Sequence, residues 1–307
     1  MLVTSNTLTA MQQAFKALFM KGLRQDSEWK KIAAEYKSSG SGTVYAWISA
    51  FPEFREWVGS RVLENMKESD YTLKNKKFEA TVAVERTDIE DDQLGIYSPI
   101  MEQMGQSAVT HIDKSVFRCL ADGFTELCYD GKPFFSKEHP LWTKVDGTGT
   151  NKQFSNIINP DVTEGTAWFL LDASKPVKPL IYQNRQDARF NMITAINNDK
   201  VFMEDKYLYG ADARRAFGYS LPQLAVASKD TLNAENFEAA YSALMEMKTD
   251  GEEPLGLKPS ILVVPPKLRA AAVALIDKQN LANGESNTNY KIVDYIVSPF
   301  AVPSAAS

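Results

Sequence analysis

Apolar side chains recur at helical spacing in three stretches of the chain. In 7–24 and in 98–124 they return every three to four residues, which places them on one face of an α-helix. Pro99 stands near the start of the second stretch, where a helix tolerates proline because the missing N–H would have no partner there. At a rise of 1.5 Å per residue, this second helix would be roughly 40 Å long. A third helix is predicted at 234–248, with Gly251 beyond its end.

A period-two pattern predicts β-structure further upstream. In 78–85 apolar side chains alternate with mostly polar ones, as in a strand with one buried face. A second short β run covers 71–73, and the four residues between the runs suit a tight turn because Asn75 tolerates positive φ. The two runs therefore predict a β-hairpin over 71–84.

The predicted hairpin needs a surface to lie on, because an isolated two-stranded hairpin is only marginally stable in water. Nothing nearby in sequence offers a third strand. A neighbouring copy of the chain is our candidate for that surface. The residues expected to make this intersubunit contact are Tyr71, Leu73, Lys74, Asn75, Lys76, Lys77 and Phe78.

The last third of the chain is predicted to hold a compact α/β layer. Residues 260–264 form a nearly uninterrupted apolar run, which is typical of a strand that is buried on both faces. Pro265 and Pro266 end this strand and open a helix that continues to Asp277. Shorter strands are predicted at 167–171, 180–183, 201–203, 206–209 and 224–227, and loop structure at 128–151. The fold class is therefore mixed, α+β.

The first 45 residues are expected to form an arm. The serine and glycine residues of 38–42 predict a flexible joint after the first helix. The aromatic stretches at 47–52 and 55–61 should then pack against another surface.

Charge and cysteine content exclude several classes of protein. The net charge is −5 and no basic stripe is present, so specific binding to nucleic acid is not expected. Two cysteines do not make a disulfide framework. No apolar run approaches the ~20 residues of a membrane span, and no export signal is visible.

Side chains suited to catalysis or metal binding are few. The only histidines are His111 and His139, and the only cysteines are Cys119 and Cys128. Their spacing lacks the paired pattern of zinc ligands, and no phosphate-binding glycine motif occurs, so no catalytic residue, metal or cofactor is predicted. We interpret the acidic run 90–92 as a solvated turn. Arg214 and Arg215 are interpreted as an exposed or interfacial ion-pairing dyad.

Several sequence blocks, in order along the chain, resemble one family. They include FREWVGSR at 54–61, NKKFE at 75–79, IEDDQLGIYSP at 89–99, CYDG at 128–131, VKPLIYQ at 177–183 and the prolines at 259 and 265. The chain resembles the Mu-like prophage major head subunits, the gpT-like capsid proteins. Several ordered blocks make this resemblance specific, whereas one short motif would not.

The resemblance implies an HK97-like capsid fold. An N-terminal arm would cover 1–58 and the extended hairpin loop 59–95. A peripheral domain would comprise 96–160 and 195–230, with 98–124 as its spine helix. The axial domain would comprise 161–194 and 231–307. The peripheral strands precede the α/β layer here, unlike in many relatives, which leaves permuted connectivity open.

The resemblance also implies function and partners. The chain would assemble into hexamers and pentamers of an icosahedral shell, the virion capsid, made in the cytoplasm of a bacterial host. Double-stranded DNA would be contained without specific binding. A separate scaffold, a head-maturation protease and a portal protein would take part.

Two alternatives stay open at this stage. One is a cytosolic hydrolase that uses Cys128 and His139, which would require both side chains to converge with an orienting carboxylate. The other is a soluble adaptor. Size-exclusion chromatography discriminates, because a shell protein forms capsomers or particles and an enzyme forms a small closed oligomer.

Overall fold

The computed structural model describes residues 5–45, 71–91, 94–145, 149–195, 197–281 and 283–303. The aromatic stretches within 47–61, including the FREWVGSR block, lie outside these residues. The helices are α1 (Ser5–Gly22), α2 (Trp29–Ile32), α3 (Arg86–Glu90), α4 (Leu94–Asp122), α5 (Asp199–Glu204), α6 (Ala234–Met245) and α7 (Arg269–Ala272). Short 3₁₀ turns lie at Pro222–Leu224 and Pro266–Leu268, and a π-helical turn follows α7 at Val273–Asp277.

Thirteen strands are present in the described part of the chain. They are β1 (Ala33–Lys37), β2 (Gly42–Val44), β3 (Thr72–Lys74), β4 (Lys76–Glu85), β5 (His139–Trp142), β6 (Asn151–Phe154), β7 (Ile157–Ile158), β8 (Trp168–Leu171), β9 (Leu180–Ile193), β10 (Lys206–Tyr219), β11 (Ala225–Ser228), β12 (Ile261–Val264) and β13 (Asp294–Val297). The helix predicted at 98–124 is confirmed as α4, which begins earlier, at Leu94. The pattern at 201–203 was interpreted wrongly, because these residues belong to α5.

Four strands form the first sheet, which we call the long sheet, in the order β1, β9, β10, β4. β9 and β10 each have 14 residues and pair antiparallel, from Ile193 opposite Leu208 to Leu180 opposite Tyr219. β4 pairs antiparallel with the other side of β10, and β1 runs parallel to β9. Side chains of β10 are more buried at every second position over most of its length, so one face of the long sheet is covered.

Helices α1 and α4 cover that face. Phe15 of α1 meets Tyr209 of β10 edge to face, with ring centroids 5.0 Å apart, and Phe19 packs against Phe190 of β9. Met101 and Met104 of α4 belong to the same apolar cluster. Burying a large apolar side chain stabilises the fold by about 1.5–3 kcal/mol, so these contacts hold both helices on the sheet.

Two glycines allow α1 and α4 to cross closely. A methyl carbon added to Gly105 would lie 2.2 Å from the carbonyl oxygen of Phe19, and one added to Gly22 would lie 2.2 Å from that of Glu102. Neither neighbour is a flexible side chain that could move aside. The crossing therefore depends on the missing side chain at both positions.

The second sheet, which we call the buried sheet, has the strand order β13, β12, β8, β11, β7. Every residue of β8, β11 and β12 is buried, which confirms the prediction of a doubly covered strand near 260–264. On one side Phe237 and Leu244 of α6 pack in a cluster with Trp168 and Leu262. On the other side Val263 packs with the end of α4 and the following loop.

The predicted hairpin over 71–84 is wrong in its pairing. β3 pairs with β2, and β4 pairs with β10 over ten residues, from Lys76 opposite Arg215 to Glu85 opposite Lys206. Residue Asn75 therefore joins two different sheets rather than closing a hairpin. The alternating pattern in 78–85 marks one buried face correctly, but that face belongs to the subunit's own long sheet.

The predicted loose arm and the predicted domain boundaries also need correction. α1 packs on α4 and the long sheet instead of standing apart, because Met11, Phe15 and Phe19 find apolar partners there. A boundary at 194/195 would separate β9 from β10, which pair along their length. β8 and β11, assigned to different domains, are neighbours in the buried sheet. The predicted strand pieces at 180–183 and 206–209 were too short to indicate this continuous pairing.

The glycine crossing gives a first prediction. Gly105→Ala should lower the free energy of unfolding by about 1–3 kcal/mol, the usual cost of overpacking, because the new methyl group meets backbone atoms. Urea unfolding of the unassembled subunit measures this. The matched control is Gly95→Ala on the same helix, where nothing among the described residues lies within 4 Å of the added carbon. Equal stability of the two variants would contradict the close crossing.

Candidate functional site

The segment predicted to make the intersubunit contact is partly turned into its own subunit. Tyr71 is half-buried, and its hydroxyl oxygen accepts a hydrogen bond of 2.8 Å from the Tyr219 N–H. Leu73 is buried beside Gly218, where an added methyl carbon would lie 2.5 Å from the Leu73 side chain. These residues therefore anchor the segment to the end of β10.

Asn75 connects β3 to β4, and we call the segment 71–78 around it the corner. Asn75 makes hydrogen bonds in several directions there. Its N–H donates to the Ser41 carbonyl at 2.9 Å, and its side-chain amide donates to Ser38 Oγ and the Gly40 carbonyl at 3.1 and 3.0 Å. Its side-chain oxygen accepts from Gln183 Nε2 at 2.8 Å. The stretch 38–42, predicted to be a flexible joint, is thus tied through Asn75 to Gln183 of the long sheet by four hydrogen bonds.

The remaining members of the segment divide into two kinds. Lys74, Lys76 and Lys77 are exposed. Phe78 is half-buried against His111 of α4, with ring centroids 4.3 Å apart. Three cationic side chains therefore remain available at this corner for a contact outside the subunit.

The structure brings Cys128 and His139 together around a third residue, Asp130. His139 Nδ1 lies 2.7 Å from Asp130 Oδ2, and Cys128 Sγ donates to Asp130 Oδ1 at 3.0 Å. The other ring nitrogen of His139 lies 3.2 Å from the Phe134 carbonyl oxygen. Both ring nitrogens of His139 therefore lie within hydrogen-bond distance of an oxygen atom.

This cluster does not have the geometry of a nucleophile with its base. Cys128 and His139 both bind Asp130, whereas a nucleophilic thiol needs a direct contact with its base. Burial raises the pKa of the Cys128 thiol, which disfavours the reactive thiolate. The His139 side chain is fully buried, so a substrate would have no access to it.

The same three donor atoms lie within 4.8 Å of one another, close enough to share a metal ion. Hydrogen bonds among them already satisfy each side chain, however, and nothing further is required to hold the cluster. Sequence reasoning missed Asp130. Its signal was the position two residues after Cys128 in the CYDG turn, since Asp often binds its own backbone in turns.

The other predicted residues lie apart from this cluster. Tyr219 Oη donates to the Cys119 carbonyl at 2.8 Å, and burial raises the pKa of the Cys119 thiol to about 12. Asp91 is exposed in the predicted acidic turn, while Asp92 lies outside the described residues. The prediction of an exposed or interfacial ion-pairing Arg214–Arg215 dyad is wrong for Arg215, which is buried and donates to the Ala108 carbonyl at 3.0 Å.

Comparison with known proteins decides between a shell subunit and the alternatives. The family model described as Mu-like prophage major head subunit gpT matches residues 8–301. The chain belongs to this family of phage head subunits. The mixed α+β capsid fold expected from the sequence is confirmed.

Relatives in this family are similar over almost their full length. The chain is 41% identical to the major capsid protein of Escherichia phage Mu over 290 residues, 94% of this chain and 95% of that protein. It is 40% identical to the Mu-like prophage FluMu major head subunit of Haemophilus influenzae, over 90% of this chain and 91% of that protein.

Solved structures similar to this chain include phage shells. A chain of the bacteriophage JBD30 procapsid matches with a TM-score of 0.88 and 41% identity, covering 97% of this chain and all of that one. A chain of the JBD30 capsid matches with a TM-score of 0.75 and 32% identity, covering 98% of this chain and all of that one. Among the described residues, no helix is both long enough and apolar enough to cross a membrane.

The Asp130 cluster gives a second prediction. Burial works against the charged carboxylate, but hydrogen bonds from His139 and Cys128 outweigh it and lower the Asp130 pKa. Asp130→Asn should therefore destabilise the subunit by about 3 kcal/mol at neutral pH, as expected when a buried carboxylate loses hydrogen bonds to its charged form.

The pH dependence of this effect has a definite sign. A carboxyl with a lowered pKa stabilises the fold above its unfolded pKa of about 3.9, and this contribution is lost as pH falls through the folded pKa. The stability gap between wild type and Asp130→Asn should be constant at neutral pH and shrink below about pH 4 in urea titrations. The control is Glu138→Gln, which removes an exposed ion pair with Lys132. A similar small loss in both variants would contradict the stabilisation of the Asp130 carboxylate by its hydrogen bonds in the cluster.

Proposed function

We propose that the chain assembles with copies of itself into hexamers and pentamers of an icosahedral shell that encloses double-stranded DNA. The observation that carries this proposal is the match to a JBD30 procapsid chain over 97% of this chain. The net charge of −5 agrees with a container whose wall holds DNA without binding it specifically. The site of action would be the virion capsid, after synthesis in the bacterial cytoplasm.

The sheets suggest revised domains for this shell subunit. The long sheet with α1 and α4 would form the peripheral domain, with α4 as its spine helix. The buried sheet with α6 and α7 would form the axial domain. Support comes from sheet membership, since β8, β11 and β12 pair with one another and not with the long sheet.

The corner between β3 and β4 remains our proposed intersubunit contact. Tyr71, Leu73 and Asn75 would hold the corner rigid from inside. Lys74, Lys76 and Lys77 would reach an acidic surface of the next copy, which an acidic chain can readily supply. Phe78 would set the position of the corner through its contact with His111.

A structural role without catalysis is part of the proposal. The buried thiol of Cys128 has no direct base, and its pKa is raised. We therefore prefer a shell subunit to the hydrolase alternative, with no metal or cofactor. Size-exclusion chromatography separates the two, because a hydrolase would elute as a small closed oligomer and also show activity that Cys128→Ala removes.

Further partners follow from the family. The JBD30 capsid is decorated with minor capsid protein trimers. We propose a comparable external partner for this shell, together with a separate scaffold, a head-maturation protease and a portal protein.

The third prediction tests assembly through the corner. Replacing Lys74, Lys76 and Lys77 together by glutamate should abolish closed shells, because like charges would then face each other across the contact. Circular dichroism and unfolding of the unassembled subunit should stay close to wild type, since all three side chains are exposed. Electron microscopy and sedimentation measure the particles.

The matched control replaces the same three lysines by arginine, which keeps the charge, and should assemble normally. If the glutamate variant forms wild-type particles, the corner does not carry an electrostatic contact. If it fails to fold as a subunit, the lysines belong to internal structure instead.

A further inference from the structure

A cavity of about 80 Å³ lies between α4 and the long sheet and is partly open to solvent. Small side chains from several elements meet there: Ala80 pairs with Ala211 across β4 and β10, and Ala188, Ala213 and Ala108 also line the cavity. Folded interiors rarely leave space of this size unfilled. An empty space alone does not make a binding site, but two buried polar side chains that line this cavity indicate one.

Arg215 is the first of these groups. It is only 3% exposed and lines the cavity. Its Nη1 donates to the Ala108 carbonyl, while its Nε is buried without an acceptor among the residues that the structure describes. No carboxylate oxygen in the described ranges lies within 4.0 Å of the guanidinium. A buried guanidinium without a counter-ion is costly, so its charge needs an explanation.

The strand alternation of β10 turns Arg215 to the same face as Ala211 and Ala213, and β10 stays in register with β4 there. The pairing of β9 with β10 is irregular opposite Arg214 and Arg215, where the extra residues lie on β9. Irregularities of this kind often lie next to functional sites. Asp187 is the acidic residue whose charge acts on the Arg215 guanidinium. Its carboxylate, however, already accepts a hydrogen bond from Asn184 and forms an ion pair with Lys37.

His111 is the second group and comes from a different element, α4. Its Nδ1 is buried without a hydrogen-bond partner in the described part of the chain. Burial, with Arg215 and Lys114 nearby, lowers the His111 pKa to about 4, so the ring is neutral at pH 7. A neutral imidazole can carry its proton on Nδ1 and donate it.

Two acidic residues, Glu79 and Asp212, border the cavity, but their carboxylates do not point into it. Asp212 accepts hydrogen bonds from Arg189, Gln186 and Asn191, and Glu79 accepts one from Thr81. Glu79 of β4 lies opposite Asp212 of β10, and the residue pairs on either side of them face α4. Their carboxylates therefore lie on the opposite face of the long sheet.

We propose that this cavity binds a small oxyanion, held by Arg215 Nε and His111 Nδ1. The shared chemistry is a carboxylate or a phosphate group, because both present oxygens that accept hydrogen bonds from a guanidinium. About 80 Å³ has room for one such group but not for a nucleotide. Two sources can supply this group: a free anion, or the side chain of Asp or Glu from a second copy of the chain. Only the second source rests on the proposed assembly.

The test uses the unassembled full-length subunit, titrated with sodium phosphate and with sodium acetate against sodium chloride of equal ionic strength. The chain has two histidines, so their ring resonances can be assigned by substitution. Phosphate or acetate should shift the ring resonances of His111 but not those of His139, and should raise Tm above the chloride reference.

Variants locate the binding. Arg215→Gln should weaken binding by about tenfold or more, the loss expected for a charge-assisted hydrogen bond. His111→Phe keeps an aromatic ring against Phe78 and should weaken it as well, which keeps the test valid if Arg215→Gln fails to fold. Arg214→Gln is the matched control on the opposite face of β10 and should bind like wild type.

Assembled particles distinguish the two sources. Particles that retain about one radiolabelled phosphate per subunit would identify a free anion as the occupant. Particles that exclude phosphate, when the unassembled subunit binds it, would identify a carboxylate of a neighbouring copy. The proposal is overturned if neither anion moves the His111 resonances or Tm beyond the chloride reference, whether or not particles form.

Discussion

The antiparallel pairing of β9 with β10 is the constraint on which the rest of the subunit depends. Over 14 residues it decides which side chains face α1 and α4 and which face outward. β1 and β4 are added at its two sides, and β10 leads through Pro222–Leu224 directly into the buried sheet. Helix α1 packs on the covered apolar face of the long sheet, and this packing places Gly22 of α1 next to Gly105 of α4.

Polar side chains, rather than regular structure, hold the connections between the two sheets. Asn156 is fully buried; its amide donates to the Phe134 and Pro222 carbonyls at 2.8 and 3.1 Å, and it accepts from the Ser136 N–H at 2.9 Å. It thereby ties the long loop after α4 to the start of β11. Asn75 and Gln183 similarly hold the small β2–β3 sheet against the long sheet. Because an unsatisfied buried polar group is costly, each such residue tolerates few alternative conformations of the loop around it.

Cys128 and His139, the two residues of the hydrolase alternative, also hold a loop through a buried polar side chain. Cys128, Asp130 and His139 close the loop after α4, with His139 stacked on Phe154 at a centroid distance of 5.0 Å. Hydrogen bonds among buried side chains hold this loop in one conformation. The lysines beside Asn75, in contrast, stay exposed at the surface of the subunit.

The sequence alone was sufficient to predict the elements that local pattern determines. The helical spacing that includes Met104 and Leu120 predicted α4, and the apolar run at 260–264 predicted the central strand of the buried sheet. Several ordered motifs identified the family. In each case the signal is contained within one stretch of chain, because helix periodicity and burial on both faces leave a direct trace in neighbouring residues.

Only the tertiary structure decided which strands pair and which polar groups meet. A period-two pattern shows that 78–85 has a buried face, but the partner strand begins more than a hundred residues later, and no local signal specifies it. The turn-like residues around Asn75 fit a hairpin and a corner between sheets equally well. The same limit hid Asp130 between Cys128 and His139, and it hid the burial of Arg215. Strand pairing, the β-bulge and the crossing of α1 with α4 are long-range contacts, and their energies are set by residues that the sequence keeps far apart.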